Sequence, residues 1–191
     1  MSRTPSTMLT LGTQAPDFNL PEPLTGNSIS LADFSNKPLL VAFICNHCPY
    51  VLHIMNEFVA FAEAYKGRGL AVVAINVNDV ANYPDDSPEK MAELAKQAGF
   101  SFPYLFDASQ ASAQAYQAAC TPDFYLFNAD HQLYYRGQFD DARPRSDVPV
   151  TGKDMKAAAD ALLAGKIAPS EQIASLGCNI KWISGNEPDY F

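Results

Sequence analysis

Two unbroken apolar runs, Leu39 to Ile44 and Leu70 to Val77, stand out from an otherwise mixed sequence. Neither alternates, which is the pattern of strands covered on both faces. Between them, Val51, Met55, Phe58, Ala62 and Tyr65 recur at helical spacing, and Gly67 and Gly69 end the run. A strand, a helix and a strand in this order predict two parallel strands joined by a right-handed crossover. Asn78 to Ser87 reads as a loop. Ser87 then caps a helix that has Pro88 at its first position, Gly99 just past its end, and an apolar stripe of Met91, Leu94, Ala95 and Ala98. Tyr104 to Phe106 is a short strand, and Asp107 caps an Ala-rich helix reaching about Ala119. Phe124 to Phe127 and Leu133 to Gln138 read as an antiparallel pair joined by Asn128-Ala129-Asp130-His131. Thr151 with Asp154 resembles a capping box for a last helix carrying Met155, Ala158, Leu162 and Gly165. Upstream, Phe18 to Leu20 and Ser28 to Leu31 flank Thr25-Gly26-Asn27 as a hairpin. The sum is an α/β fold: a mixed central sheet with helices on both faces.

At 191 residues the chain is one domain. We expect a flexible leader over 1–10, a domain over 11–166 that includes the hairpin at 17–31, and a C-terminal tail over 167–191 packed on it. Hydrophobic residues make up 48% and charged residues 18%, enough apolar material for a true core. The formal charge of -8 argues against nucleic acid and against an anionic membrane surface. No apolar run of signal-peptide length precedes Pro16, and none anywhere reaches the ~18 residues of a membrane span. The expected compartment is the cytoplasm, where thiols are kept reduced and a paired cysteine motif is more often redox-active or metal-binding than structural.

Cys45-Asn46-His47-Cys48 lies where the first buried strand ends and the first helix begins. A helix N-terminus carries unpaired N–H groups and about half a positive charge, and both favour a thiolate. Cys45, the outer residue, is therefore expected to have the lowered pKa, with His47 supporting it and Cys48 more buried. In the chemistry this suggests, Cys45 attacks a disulfide sulfur and Cys48 resolves the mixed disulfide. Two bland readings stand beside it: core cysteines adjacent by chance, and a zinc site. Zinc needs four ligands, and Cys120, Cys178, His47, His53 and His131 supply no second pair at ligand spacing, so no metal is expected.

Ala119-Cys120-Thr121-Pro122-Asp123-Phe124 leads into a later strand. A CxxC at a strand-to-helix junction followed by a Thr-Pro before an apolar strand resembles the thioredoxin superfamily. Gly12-Thr13-Gln14-Ala15-Pro16-Asp17-Phe18 resembles the opening of peroxiredoxins. Phe43 to Tyr50, Asn78-Asp79 with Tyr83 to Pro88, Arg136 to Asp141, and Gly177 to Trp182 extend the likeness over residues 10–190. Together they resemble the peroxiredoxin-like redoxins of bacteria, of AhpC/TSA type.

The resemblance implies a thioredoxin-like fold and a cis Thr121–Pro122 bond beside the cysteines. It also implies a Thr121 backbone that takes a substrate chain as an added strand. Asn46, His47, Pro49, Thr121 and Pro122 become supporting residues. The likeness also places Cys48-Pro49 at the peroxidatic position, with Cys45 in place of a threonine and no evident peroxide-polarising Arg. Ile44 replaces the tryptophan of thioredoxin, and the apolar strand before Cys45 lacks its buried Asp.

Cys120, next to the Thr-Pro, and Cys178, in the tail, are candidates for a second redox pair. Alternatively, Cys120 is a small buried hydrophobe and Cys178 a tail residue. Asp85, Asp86 and Glu89 read as a solvated acidic loop, and Arg136, Arg143 and Arg145 as partners of Asp140 or Asp141. His53 reads as a packing or surface residue, and Trp182 and Tyr190 as anchors of the tail. The expected function is thiol–disulfide oxidoreductase, with no cofactor and with protein or small-molecule disulfides and thiols as partners, in a monomer or homodimer. The alternatives are a thiol peroxidase acting on peroxides as an antioxidant protein, and a non-enzymatic redox-sensing or metal-binding module.

Overall fold

The computed structural model describes residues 3–190. Its main sheet has five strands: β4 (Leu39–Phe43), β5 (Ala71–Asn76), β6 (Tyr104–Phe106), β8 (Asp123–Phe127) and β9 (Leu133–Tyr135), in the order β6-β5-β4-β8-β9. β4, β5 and β6 run parallel, while β8 and β9 are antiparallel to their neighbours. The crossover between β4 and β5 is α1 (Pro49–Lys66), as the apolar pattern predicts.

The unbroken apolar runs have a direct physical reading. Successive side chains of a strand point to opposite faces. Leu40, Ala42 and Ile44 accordingly face one core cluster, with Val72, Ala74, Phe124 and Leu126. Leu39, Val41 and Phe43 face the other, with Val73, Ile75, Tyr125 and Phe127. The first cluster is closed by α1, by α2 (Pro88–Ala98) and by α4 (Lys153–Leu163). Most of the second is closed without helices. Leu9, Ala15 and Phe18 from the N-terminal segment, Tyr116 beside the short α3 (Ala111–Ala115), and Ile180 and Trp182 from the tail cover it.

Several local expectations hold. Ser87 accepts from the Lys90 N–H as the cap of α2, Pro88 is its first residue, and Gly99 follows it at φ 69°. The hairpin β2 (Asn19–Pro21) and β3 (Ser28–Ser30) pairs Leu20 with Ile29. Others are corrected. The Ala-rich helix is five residues long, because the Asp107 carboxylate accepts from the N–H groups of Ser109 and Ser112 and holds a turn before it. Thr151 makes no capping box. Asp154 accepts from Gln138, and the N–H groups of Thr151 and Gly152 are taken by Asp140.

The leader is also corrected within the described residues. Arg3–Pro5 forms β1, paired antiparallel with β10 (Leu176–Asn179) of the tail, and β10 pairs in turn with β7 (Cys120–Thr121). Exposed backbone groups of β10 find partners on both edges, and that fixes the N-terminal segment. Met1 and Ser2 of the leader, and Phe191 of the tail, lie outside the described residues. The Tyr190 hydroxyl donates to the Ala113 and Ala118 carbonyls and so ties down the end of the tail. Among the described residues, no helix is long and apolar enough to cross a membrane.

Candidate active site

Cys45 follows β4 and Cys48 is the N-cap of α1, with Pro49 at the first helical position. Proline suits that position because its missing N–H needs no partner there. The two thiols are 1% and 0% exposed. Thr121, brought in from β7, touches both. Its hydroxyl lies 3.5 Å from Cys45 Sγ, and its carbonyl oxygen 3.1 Å from Cys48 Sγ. The Thr121–Pro122 bond is cis. The structure thus brings Cys45, Cys48, Thr121 and Pro122 into one cluster.

The acidity order is the reverse of the one expected from the sequence. Cys48 is held below the ordinary cysteine range, first by the Cys45 thiol donating to it. The Thr121 and Cys178 side chains and the Val51 N–H of the first helical turn add to this against the cost of burial. The contact with the Thr121 carbonyl suits a thiol, but these donors outweigh it. Cys45 is pushed well up, by its hydrogen bond to Cys48, by burial and by the Asp86 carboxylate. The helix N-terminus favours a thiolate only at the residue it touches, and that residue is Cys48.

Asp86 is the residue that sequence reasoning missed. It was expected in solvent, yet it is 0% exposed. A short 3-10 turn, Pro84–Asp86, turns its side chain inward just before Ser87 starts α2. One carboxylate oxygen accepts from the Asn46 N–H at 2.7 Å. The other accepts from Asn78 at 2.8 Å and lies 2.7 Å from His47 Nδ1, without the alignment of a hydrogen bond. Asn46 is also held by the Tyr104 hydroxyl and by the Asp85 carbonyl. His47 is partly exposed and stacks on Tyr83, with ring centroids 5.6 Å apart. The available signal was the Tyr83-Pro84-Asp85-Asp86-Ser87-Pro88 string itself. Two prolines bracket the acids and force a tight turn, leaving one acid inside and Asp85 outside, where it pairs with Lys90.

Donor atoms of Cys45, His47 and Asp86 lie within 4.8 Å of one another. A thiolate, an imidazole and a carboxylate are a set that a zinc-type ion accepts. These three residues could hold a metal, although their spacing along the chain gave no hint of it.

The arginines do not reach the cysteines. Arg136 donates to the Leu9 carbonyl and to Gln172, and Arg143 to Gln138 and to the Asp140 carbonyl rather than its carboxylate. The expected pairings with Asp140 and Asp141 therefore do not form, and Asp141 pairs with Lys153. Cys120 and Cys178 are both buried. The β10–β7 register sets Cys178 opposite Thr121 and Asn179 opposite Cys120. Opposed residues share a face and neighbours alternate, so Cys120 and Cys178 face opposite sides of the ladder. Instead, Cys178 is buried in the same core cluster as Cys48. The edge of Thr121 expected to receive a substrate strand is occupied by the chain's own tail.

The family model for the AhpC/TSA family matches residues 11–136. This chain belongs to the AhpC/TSA family. A protein of Sinorhizobium meliloti with a solved crystal structure is 51% identical, covers 95% of this chain and 100% of its own, and superposes at a TM-score of 0.93. A Mycobacterium tuberculosis protein with the provisional name of a peroxiredoxin is 32% identical over 116 residues, 60% of this chain and 68% of that protein. The thiol-disulfide oxidoreductase ResA of Halalkalibacterium halodurans is 28% identical over 122 residues, 64% of this chain and 65% of that one. The architecture is the thioredoxin-like fold, with a mixed sheet flanked by helices.

Proposed function

We propose that this AhpC/TSA protein is a thiol–disulfide oxidoreductase cycling Cys45 and Cys48 between dithiol and disulfide. The observation that carries the reading is the pair of buried thiols, Cys45 and Cys48, at the start of α1, with Thr121 touching both sulfurs. The roles inferred from the sequence are exchanged. Cys48, the acidified thiol, attacks a sulfur of the partner disulfide, and the partner's other sulfur leaves with the electron pair and takes a proton. Cys45 then attacks Cys48, and its proton passes toward the Asp86 carboxylate beside it. The partner is released as a dithiol, and a Cys45–Cys48 disulfide remains. His47 is the exposed edge of this site, and its contact with Asp86 positions the buried carboxylate.

One observation favours a second reading. Sulfurs 1% and 0% exposed admit a small peroxide more readily than a protein disulfide. Cys48 would then take one peroxide oxygen as a sulfenic acid, releasing an alcohol or water, and Cys45 would condense with it to a disulfide and water. Reduction of insulin followed by turbidity, run beside peroxide consumption with the same reductant, separates the two. We expect faster insulin precipitation with the wild-type chain, lost in Cys48→Ser. Peroxide consumption without insulin reduction would replace the first reading by the second. Activity in Cys48→Ser but not in Cys45→Ser would restore the order of roles inferred from the sequence.

A further inference from the structure

The tail places a third sulfur at this site. β10 lies antiparallel on β7 with Cys178 opposite Thr121, the residue that touches both Cys45 and Cys48. Opposed residues of a ladder share a face, so Cys178 points where Thr121 points. Cys178 and Cys48 are buried in the same core cluster. The approach is close by construction. A Cβ on Gly177 would stand 2.0 Å from the Thr121 carbonyl oxygen, so only glycine lets this strand lie on the Thr121–Pro122 segment. The strand is fixed from both sides, by β1 on its outer edge and by Ile180 N–H donating to the Ala119 carbonyl beyond it. Cys178 is therefore held at Cys48.

We infer that Cys178 is a third redox thiol, which exchanges with the Cys45–Cys48 disulfide through Cys48 as the shared sulfur. The inference rests on the disulfide of the proposed function. In the step, the Cys178 sulfur attacks Cys48 Sγ and a Cys48–Cys178 bond forms. The Cys45–Cys48 bond breaks, and its electron pair leaves with Cys45, which takes up the proton given up by Cys178. One disulfide is present before and after, so no external oxidant or reductant is needed. Burial and the hydrogen bond to Cys48 push the Cys178 thiol up to about 12 in the dithiol state, so it acts there as a donor to Cys48. Once Cys48 is in a disulfide, that second contribution ends. The product fastens the tail covalently over the Thr121 edge and returns Cys45 as a thiol. Two alternative disulfides then share Cys48, one leaving the edge held only by hydrogen bonds and one locking it.

The test uses the full chain, wild type and Cys45→Ser, oxidised under native conditions with one equivalent of diamide. Samples are quenched in acid, alkylated, digested and mapped by mass spectrometry. We expect Cys45→Ser to become lighter by two hydrogens, with most of the chain carrying the Cys48–Cys178 linkage and Cys120 alkylated. Wild type should carry both linkages, at a ratio that returns to the same value after re-equilibration in glutathione buffer. A Cys45→Ser chain with native circular dichroism whose Cys178 is alkylated throughout would overturn the inference. If that variant does not fold, wild type decides, and absence of the Cys48–Cys178 peptide at every diamide ratio overturns it. The outcomes separate from those of the proposed function. Insulin reduction without this linkage removes only the third thiol, and the linkage without insulin reduction removes only the proposed activity.

Discussion

The junction at Cys45–Pro49 and the tail strand Leu176–Asn179 meet on the same pair of sulfurs, but they are built by different physics. The junction is local. An apolar strand ends, proline starts a helix, and the Val51 N–H of the first turn falls on Cys48. The tail is long-range. Four residues with little burial periodicity are held by pairing to Arg3–Pro5 on one edge and to Cys120–Thr121 on the other. The junction supplies the acidity of Cys48 through a dipole and hydrogen bonds. The tail supplies a covering strand and a neighbouring thiol. In the proposed function a motif of four residues carries the chemistry, while a distant segment covers it.

That contrast can be broken first at the junction. Cys48→Ser should abolish the thiolate absorbance that titrates below the ordinary cysteine value of about 8.5, and lower disulfide exchange by at least about 10³-fold. If Cys45→Ser removes that absorbance instead, Cys45 and not Cys48 is the acidified thiol. The next largest effect lies behind β7. Burial raises the fully buried Asp123 carboxyl to about 6, against hydrogen bonds from Ser6, Ala119 and Tyr125 that lower it. Its folded pKa exceeds the unfolded one, so the folded chain keeps this proton longer. The stability tied to it is full below the unfolded pKa and is lost as pH rises through about 6. Across that window the unfolding free energy should fall by up to about 3 kcal/mol, and Asp123→Asn should flatten the slope. Urea unfolding at a series of pH values measures both.

The tail itself is tested by Gly177→Val, which drives a side chain into the Thr121 carbonyl and should cost about 1–3 kcal/mol. Amide exchange at Cys178 and Asn179 should speed up in the same variant. Gly67→Ala is the contrasting case. Its φ is -63°, and the nearest atom to a new Cβ is 3.9 Å away, so it should be neutral or stabilising by up to about 1 kcal/mol. A large loss there and none at Gly177 would reverse the claim that the tail strand depends on close approach at Gly177. The smallest expected effect is on Cys45. In a Cys48→Ser background, Asp86→Asn removes a negative charge beside Cys45 and should lower its thiol pKa, read from thiolate absorbance. An unchanged or raised value would remove Asp86 from the site.

The parts of the fold legible in the sequence are those where periodicity reports burial. Leu39 to Ile44, Leu70 to Val77 and the helix between them were readable because a two-faced core demands unbroken apolar strands. The Ser87-Pro88 start and the Gly99 end of α2 were readable because capping is decided within a turn. The Ala-rich segment after Asp107 misled, since helix propensity is a weak prior and Asp107 takes the backbone donors for a turn. The two acids at 85 and 86 look alike in the sequence, and only the turn that carries them sends one in and leaves the other out.

The sequence by itself determined the parallel strand-helix-strand unit and the placement of Cys45 and Cys48 at its helix start, while the Thr-Pro beside them was implied by the family resemblance. Spacing and local backbone preference are properties of neighbouring residues, so they survive without a fold. The tertiary structure alone decided which sulfur is acidified, that Asp86 faces Cys45, and that Cys178 rather than Cys120 lies at Cys48. Desolvation, charge proximity and strand register act through space, between segments more than 40 residues apart in the case of Cys45 and Asp86 and 130 apart in that of Cys48 and Cys178.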